Sequence, residues 1–259
     1  MRKFVRVILV TFIFVLMTTL SLKAIGQDIP AKKNISGEKI EKWDFILYLP
    51  DTLETGHRYP IITAFSPAAD AEGLLQTWKE HARNHQCALF CSKVIRNDLD
   101  VAPILNRMSK QIFELAQDYP IDPARIIGTG VSGGGMAAHL FAFLHPAQVV
   151  AVISNVGYIH EDCIKKEKRY PRRKICAFLT SPTDFNYKLM KEDKQLLDRL
   201  EWQTRWWEFE GGHRQAPDKI NEEALAWVME HLPPASSSPT APASIDEPSL
   251  ATPAGTTLH

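Results

Sequence analysis

Apolar residues in this chain fall into short dense runs, separated by longer segments in which they recur every three or four positions. The dense runs at 43–50, 59–65, 88–93, 125–129, 149–154, 174–179 and 204–210 have the length and the β-branched or aromatic content of strands. The periodic segments at about 74–85, 101–118, 136–144, 189–202 and 222–232 predict helices. In the first of these Leu75, Trp78 and Ala82 share a face, and in the second Ile104, Met108, Ile112 and Leu115 form the stripe. Strand and helix alternate along the chain. That order predicts an α/β fold with a mostly parallel central sheet and helices on both faces.

Both ends depart from this rhythm. Arg2 and Lys3 precede an apolar run from about Val5 to Leu22, and Ala24, Gly26 and Gln27 follow it. A basic start, an apolar core and small residues predict a secretory signal peptide over residues 1–26, cut after Ala24 or Gly26. An uncleaved membrane anchor is the alternative reading of the same run. Residues 27–42 are polar and lysine-rich and predict an N-terminal arm. Residues 43–232 then form one domain. From 233 to 259 Pro, Ser, Ala and Thr dominate without apolar periodicity, which predicts a disordered tail. The expected location is secreted or periplasmic, with no membrane contact beyond the N-terminal segment.

Composition narrows the partners. With 30 basic and 30 acidic residues in 259, the formal net charge is zero, so a nucleic-acid partner is not expected. The basic run at 165–174 reads as a solvated loop. Four cysteines in an exported chain permit a disulfide, although no pairing can be deduced; Cys91 and Cys176 fall in predicted buried strands.

The chemistry centres on Gly130-Val131-Ser132-Gly133-Gly134, which fits G-x-S-x-G between a predicted strand and a predicted apolar helix. That context suits a nucleophile on a sharp turn, with Ser132 as the nucleophile. A serine hydroxyl needs a base in hydrogen-bond reach, and the base needs a carboxylate to fix its tautomer. Asp184 follows the strand at 174–179, and His213 follows the strand ending near 210 in Glu210-Gly211-Gly212-His213. They are the expected acid and base. Asp184 could instead cap the following helix, with Asp162 as runner-up acid and His160 as rival base. His139 and His145 are expected at the helix surface or its end. Backbone N–H groups of Gly133 and Ala68 are the expected oxyanion donors, since Pro67 has none. This scheme requires no metal and no cofactor.

These residues resemble the α/β-hydrolase superfamily, and more narrowly exported bacterial esterases of the polyhydroxybutyrate-depolymerase and feruloyl-esterase kind. The matching pieces are Asp122-Pro123-Ala124-Arg125-Ile126 with the turn at Ser132, Asp184 after its strand, Gly211-Gly212-His213, and the closing helix at 223–227. The resemblance implies a serine hydrolase acting on a small-molecule or polymeric carboxylic ester through an acyl-enzyme. A peptide or amide hydrolase, or a decayed hydrolase serving as a binding protein, are the other readings. One departure stands out: relatives commonly carry His-Gly where this chain has Ser66-Pro67. The short connection between Ser154 and Lys174 leaves little room for a helical lid and suggests an open site.

Overall fold

The computed structural model describes residues 37–54, 56–166 and 169–235. The predicted signal peptide, most of the arm and nearly all of the predicted tail lie outside the described residues.

Eight strands form one sheet in the order β1-β2-β4-β3-β5-β6-β7-β8. They are β1 (Glu38–Glu41), β2 (Phe45–Leu49), β3 (Tyr59–Phe65), β4 (Ala88–Ser92), β5 (Ile121–Val131), β6 (Val149–Asn155), β7 (Ile175–Thr180) and β8 (Gln203–Glu208). β2 runs antiparallel to β1 and to β4; every other pairing is parallel. The helices are α1 (Ala71–Asn84), α2 (Ala102–Asp118), α3 (Gly133–Leu144), the single turn α4 (Glu161–Ile164), α5 (Tyr187–Arg199) and α6 (Asp218–His231). Among the described residues, no helix is long and apolar enough to cross a membrane.

The strands read as unbroken apolar runs because both faces of the sheet are covered. Successive residues of β2 divide between two cores. Phe45, Leu47 and Leu49 join Phe65, Phe90, Met108, Ile112, Phe141 and Phe178 beneath α2, α3 and α5. Ile46 and Tyr48 join Ile62, Trp78, Leu89, Ile153, Leu225 and Val228 beneath α1 and α6. At about 1.5–3 kcal/mol for each large side chain buried, these two layers supply the main drive to fold. The helices α1 and α6 are also tied by polar contacts. The ring nitrogens of His81 face Glu222 at 2.6 Å and Asp218 at 2.9 Å.

Three local features differ from the sequence-based expectation. β1 occupies part of the stretch expected to be an arm. It is a short edge strand whose residues alternate between half-buried and exposed, fastened by Lys39 to Glu72 at 2.7 Å and by Glu41 to Lys93 at 2.5 Å. His139 does not face the helix surface, and His145, at the end of α3 as expected, is buried there rather than exposed. α3 is enclosed by the sheet and α2, so burial pushes His139 down to about 3 and His145 down to about 4. Nδ1 of His139 meets the Tyr170 hydroxyl at 3.2 Å, and Nε2 of His145 meets Asn106 Oδ1 at 2.9 Å. The basic run at 165–174 is only partly solvated, because Tyr170 is buried in the core while Arg172 and Arg173 both pair with Glu201.

The connection between β6 and β7 packs downward: Ile159, Cys163 and Tyr170 enter the core beside the sheet. All four cysteines are buried and free.

Candidate active site

The turn at Ser132 is built by the close approach of a helix to a strand. Ser132 sits at φ 54°, ψ −123°, a region that L-residues seldom occupy and that costs of order 1–3 kcal/mol. The conformation persists because its surroundings over-determine it. The Ser132 N–H donates to the Asn155 carbonyl at 2.8 Å, and the Ser132 carbonyl accepts from Met136 N–H at 3.1 Å. On the helix side, Gly134 lies so near β3 that a Cβ there would collide with the Phe65 carbonyl. Only glycine permits that packing. The first turn of α3 starts immediately after Ser132, directing its free N–H groups and the positive end of the helix dipole at the space above the hydroxyl.

His213 lies on the loop after β8, where Gly211 at φ 120° and Gly212 at φ 70° reverse the chain. The Gly212 N–H donates to Ser181 Oγ at 3.1 Å and pins that loop to the end of β7. His213 Nε2 stands 2.8 Å from Ser132 Oγ, and Nδ1 stands 2.7 Å from Asp184 Oδ2. The three expected side chains therefore form one continuous hydrogen-bonded chain. The Asp184 side chain is fully buried and that of His213 is 26% exposed.

Asp184 does not take the alternative role weighed from the sequence, because the N-cap residue of α5 is Asn186 and no side chain caps that helix. Asp184 Oδ1 accepts the Asn186 N–H at 2.6 Å in the turn just before α5, leaving Oδ2 for the histidine. Asn186 in turn donates from Nδ2 to the Val156 carbonyl at 2.9 Å, which links the acid's loop to the end of β6. The runner-up acid and rival base pair with each other. Asp162 Oδ2 is 3.7 Å from His160 Nδ1, and Asp162 is also 3.6 Å from Lys165.

The two expected oxyanion donors are placed differently. Gly133 begins α3 beside Ser132. The Ala68 N–H donates to Ser66 Oγ at 3.2 Å within the turn 66–69, where Ala69 adopts φ 57°. Two neighbours of these side chains carried no role in the sequence-based reading. Phe185 is 73% exposed, yet its ring stacks on His213 with centroids 4.1 Å apart. Its only sequence signal is an aromatic residue directly after the acid. Asn97, in the loop after β4, reaches Gly133 and has no distinguishing signal in the sequence at all.

Ser132, His213 and Asp184 stand at the carboxyl ends of the parallel strands, where open α/β sheets place ligands. A cavity of about 520 Å³ lined by Val150, Lys174, Ile175 and Gln203 lies at the opposite ends of β6, β7 and β8. Among the described residues no group of His, Cys, Asp and Glu is arranged to hold a metal ion.

No protein-family model matches the sequence, and no curated protein matches it. Solved structures do. The chain is similar to FphF, a fluorophosphonate-binding serine hydrolase of Staphylococcus aureus, with TM-score 0.57 at 11% identity, over 74% of this chain and 96% of that one. It is similar to S-formylglutathione hydrolase (FrmB) of the same organism, with TM-score 0.55 at 13% identity, over 77% and 98%. A thermostable esterase gives TM-score 0.59 at 17% identity, over 76% of this chain and 62% of that one. With the strand order described above, these similarities establish the α/β-hydrolase fold.

Proposed function

We propose that this chain is a serine hydrolase that cleaves carboxylic esters through an acyl-enzyme. The observation that carries the reading is the unbroken chain Ser132 Oγ–His213–Asp184, with contacts of 2.8 and 2.7 Å. The fold alone would not support it, because one fold hosts many chemistries.

In this reading Ser132 Oγ attacks the ester carbonyl while His213 Nε2 takes its proton. Asp184 holds Nδ1–H and so keeps Nε2 the acceptor. The carbonyl oxygen becomes an oxyanion above the start of α3, where the Gly133 N–H meets it. The Ala68 N–H joins after leaving Ser66 Oγ. His213 then returns its proton to the departing alcohol, leaving an acyl group on Ser132. Water attacks that group with the same histidine as base, which releases the acid and restores the serine.

Two further elements belong to the proposal. The downward packing of the β6–β7 connection favours an open cleft, which suits a bulky or polymeric ester of the polyhydroxybutyrate or feruloyl kind. The N-terminal apolar run favours action in the periplasm or outside the cell. A second reading, a decayed hydrolase that binds rather than cleaves, is favoured by the Ala68 N–H being taken up by Ser66 Oγ. Hydrolysis of p-nitrophenyl esters beside p-nitroanilides of the same acyl group tests the choice. Ester turnover well above anilide turnover, lost in Ser132→Ala, is expected. No turnover of either by the folded protein would favour the binding reading.

A further inference from the structure

We propose that the side-chain amide of Asn97 is a third oxyanion donor, contributed by the loop after β4. This rests on the serine-hydrolase reading of the same site and adds a residue to it.

Three observations place Asn97 there. Its backbone N–H donates to the Pro67 carbonyl at 3.0 Å, and Ala68 and Arg96 form an antiparallel bridge. The loop after β4 is thereby fastened to the loop that faces Ser132. The end of the Asn97 side chain lies against Gly133, where a Cβ on Gly133 would overlap Oδ1 and would stand 3.6 Å from Pro67 Cβ. Asn97, Pro67 and Gly133 thus enclose one point beside the start of α3. Finally, Oδ1 of Asn97 is buried there with no hydrogen-bond partner.

A buried amide end without a partner is unfavourable, and such groups in native proteins call for an explanation. An amide's oxygen and nitrogen are told apart only by the partners they meet. At this point the protein offers Oδ1 no partner. Half a turn about χ2 exchanges the two and presents an Nδ2–H beside Gly133. That donor is unpaired until negative charge develops on the substrate oxygen, and it is paired in the tetrahedral intermediate. An interaction made only as the charge forms accelerates the chemical step rather than tightening ground-state binding.

The neighbouring loop explains the need. Pro67 has no N–H, and the Ala68 N–H is held by Ser66 Oγ at 3.2 Å. That N–H reaches the oxyanion only by giving up its bond to Ser66, and Asn97 adds a further donor from the loop after a different strand. Gly133 fits this role too. A side chain at 133 would occupy the place of the amide.

The test uses the full chain and three variants, Asn97→Asp, Asn97→Leu and Asn97→Ala, each checked for folding by thermal melting. Steady-state hydrolysis of p-nitrophenyl butyrate is measured alongside inhibition by a trifluoromethyl ketone, which forms a tetrahedral adduct on serine. Loss of one oxyanion donor lowers kcat by about 10²–10³-fold in other serine hydrolases. A fall of about that size is expected in each variant, with KM little changed and the inhibition constant rising in parallel with the loss in kcat/KM. Asn97→Leu keeps nearly the same size and carries no charge, so its loss separates donation from space-filling, whereas the carboxylate of Asn97→Asp also repels the oxyanion. Variants that hold kcat within about threefold of the parent, while fluorophosphonate still labels the parent at Ser132, would overturn the role of Asn97 and leave the triad reading standing. A parent protein that neither hydrolyses the ester nor takes the label would overturn both.

Discussion

The ring of Phe185 lies over the imidazole of His213 at 4.1 Å between centroids and 27° between planes, although Phe185 is 73% exposed. An apolar ring left in water beside a triad has one face on the base and the other free for substrate. The first contact fixes the tilt of the imidazole that Asp184 holds from its other edge. Aromatic pairs of this kind are worth about 0.5–1.5 kcal/mol, so Phe185→Ala is expected to lower kcat/KM for p-nitrophenyl esters about 2- to 10-fold. Phe185→Trp should keep most of it. Steady-state kinetics on the two variants checks this, and equal losses in both would contradict it.

Gly134 makes the turn at Ser132 possible through its contact with the Phe65 carbonyl on β3. A methyl group there cannot be accommodated by a side-chain rotation, because both partners are backbone. Gly134→Ala is expected to destabilise the protein by about 1–3 kcal/mol or more and to abolish hydrolysis with it. Urea denaturation measures the first effect. An alanine variant with the parent's stability would show that α3 and β3 can separate at little cost.

How much of this was legible in the sequence follows from the same contacts. The strands and helices announced themselves because burial on both faces of the sheet makes continuous apolar runs, while the helices keep a periodic stripe. β1 did not, since a four-residue edge strand carrying Glu38, Lys39 and Glu41 has no apolar pattern to show. Ser132, Asp184 and His213 could be selected as candidates because each follows its own strand. Their meeting could be expected from the paired glycines before His213, and the reversals at Gly211 and Gly212 are found there, but the distances depend on loop geometry that the sequence does not show. Asn97 was invisible for a physical reason: a polar residue in a loop is ordinary until its partner, Gly133, is seen against it.

Asp193 carries a pH dependence of stability. It is buried in α5, and burial raises its carboxyl from the ordinary 3.8 to about 7. The Ile159 N–H, which donates to Oδ2 at 2.7 Å, opposes that rise and Glu192 adds to it. The folded state therefore holds this proton more tightly than the unfolded chain. Its contribution is complete below about pH 4 and is lost as pH rises through about 7. Each tenfold difference in proton affinity between the two states is worth about 1.4 kcal/mol, so the loss is roughly 4 kcal/mol. Asp193→Asn keeps an acceptor for Ile159 and removes the titration. Urea unfolding should find the variant equal to the parent near pH 4 and more stable at pH 8. A difference that does not change between these pH values would contradict the protonated, buried carboxyl.

The four thiols are predicted to be unreactive in the folded protein. Cys87, Cys91, Cys163 and Cys176 are all buried, and burial raises Cys87 and Cys163 to about 12. The thiolate is the reactive form, so a thiol reagent such as Ellman's should titrate none of them at pH 8 and all of them in denaturant. Fast titration of any of the four without denaturant would contradict this burial.

The central claim is that Ser132, His213 and Asp184 work as a nucleophile, its base and the group that orients the base. Fluorophosphonate labelling of the folded protein, with the modified peptide located by mass spectrometry, tests it most directly. A single adduct on Ser132, absent in Ser132→Ala, is the predicted result. In Asp184→Asn, which leaves His213 in the wrong tautomer, labelling is predicted to slow by about 10³–10⁴-fold. Absence of any adduct on the folded parent protein, or labelling undiminished in Asp184→Asn, would contradict the claim.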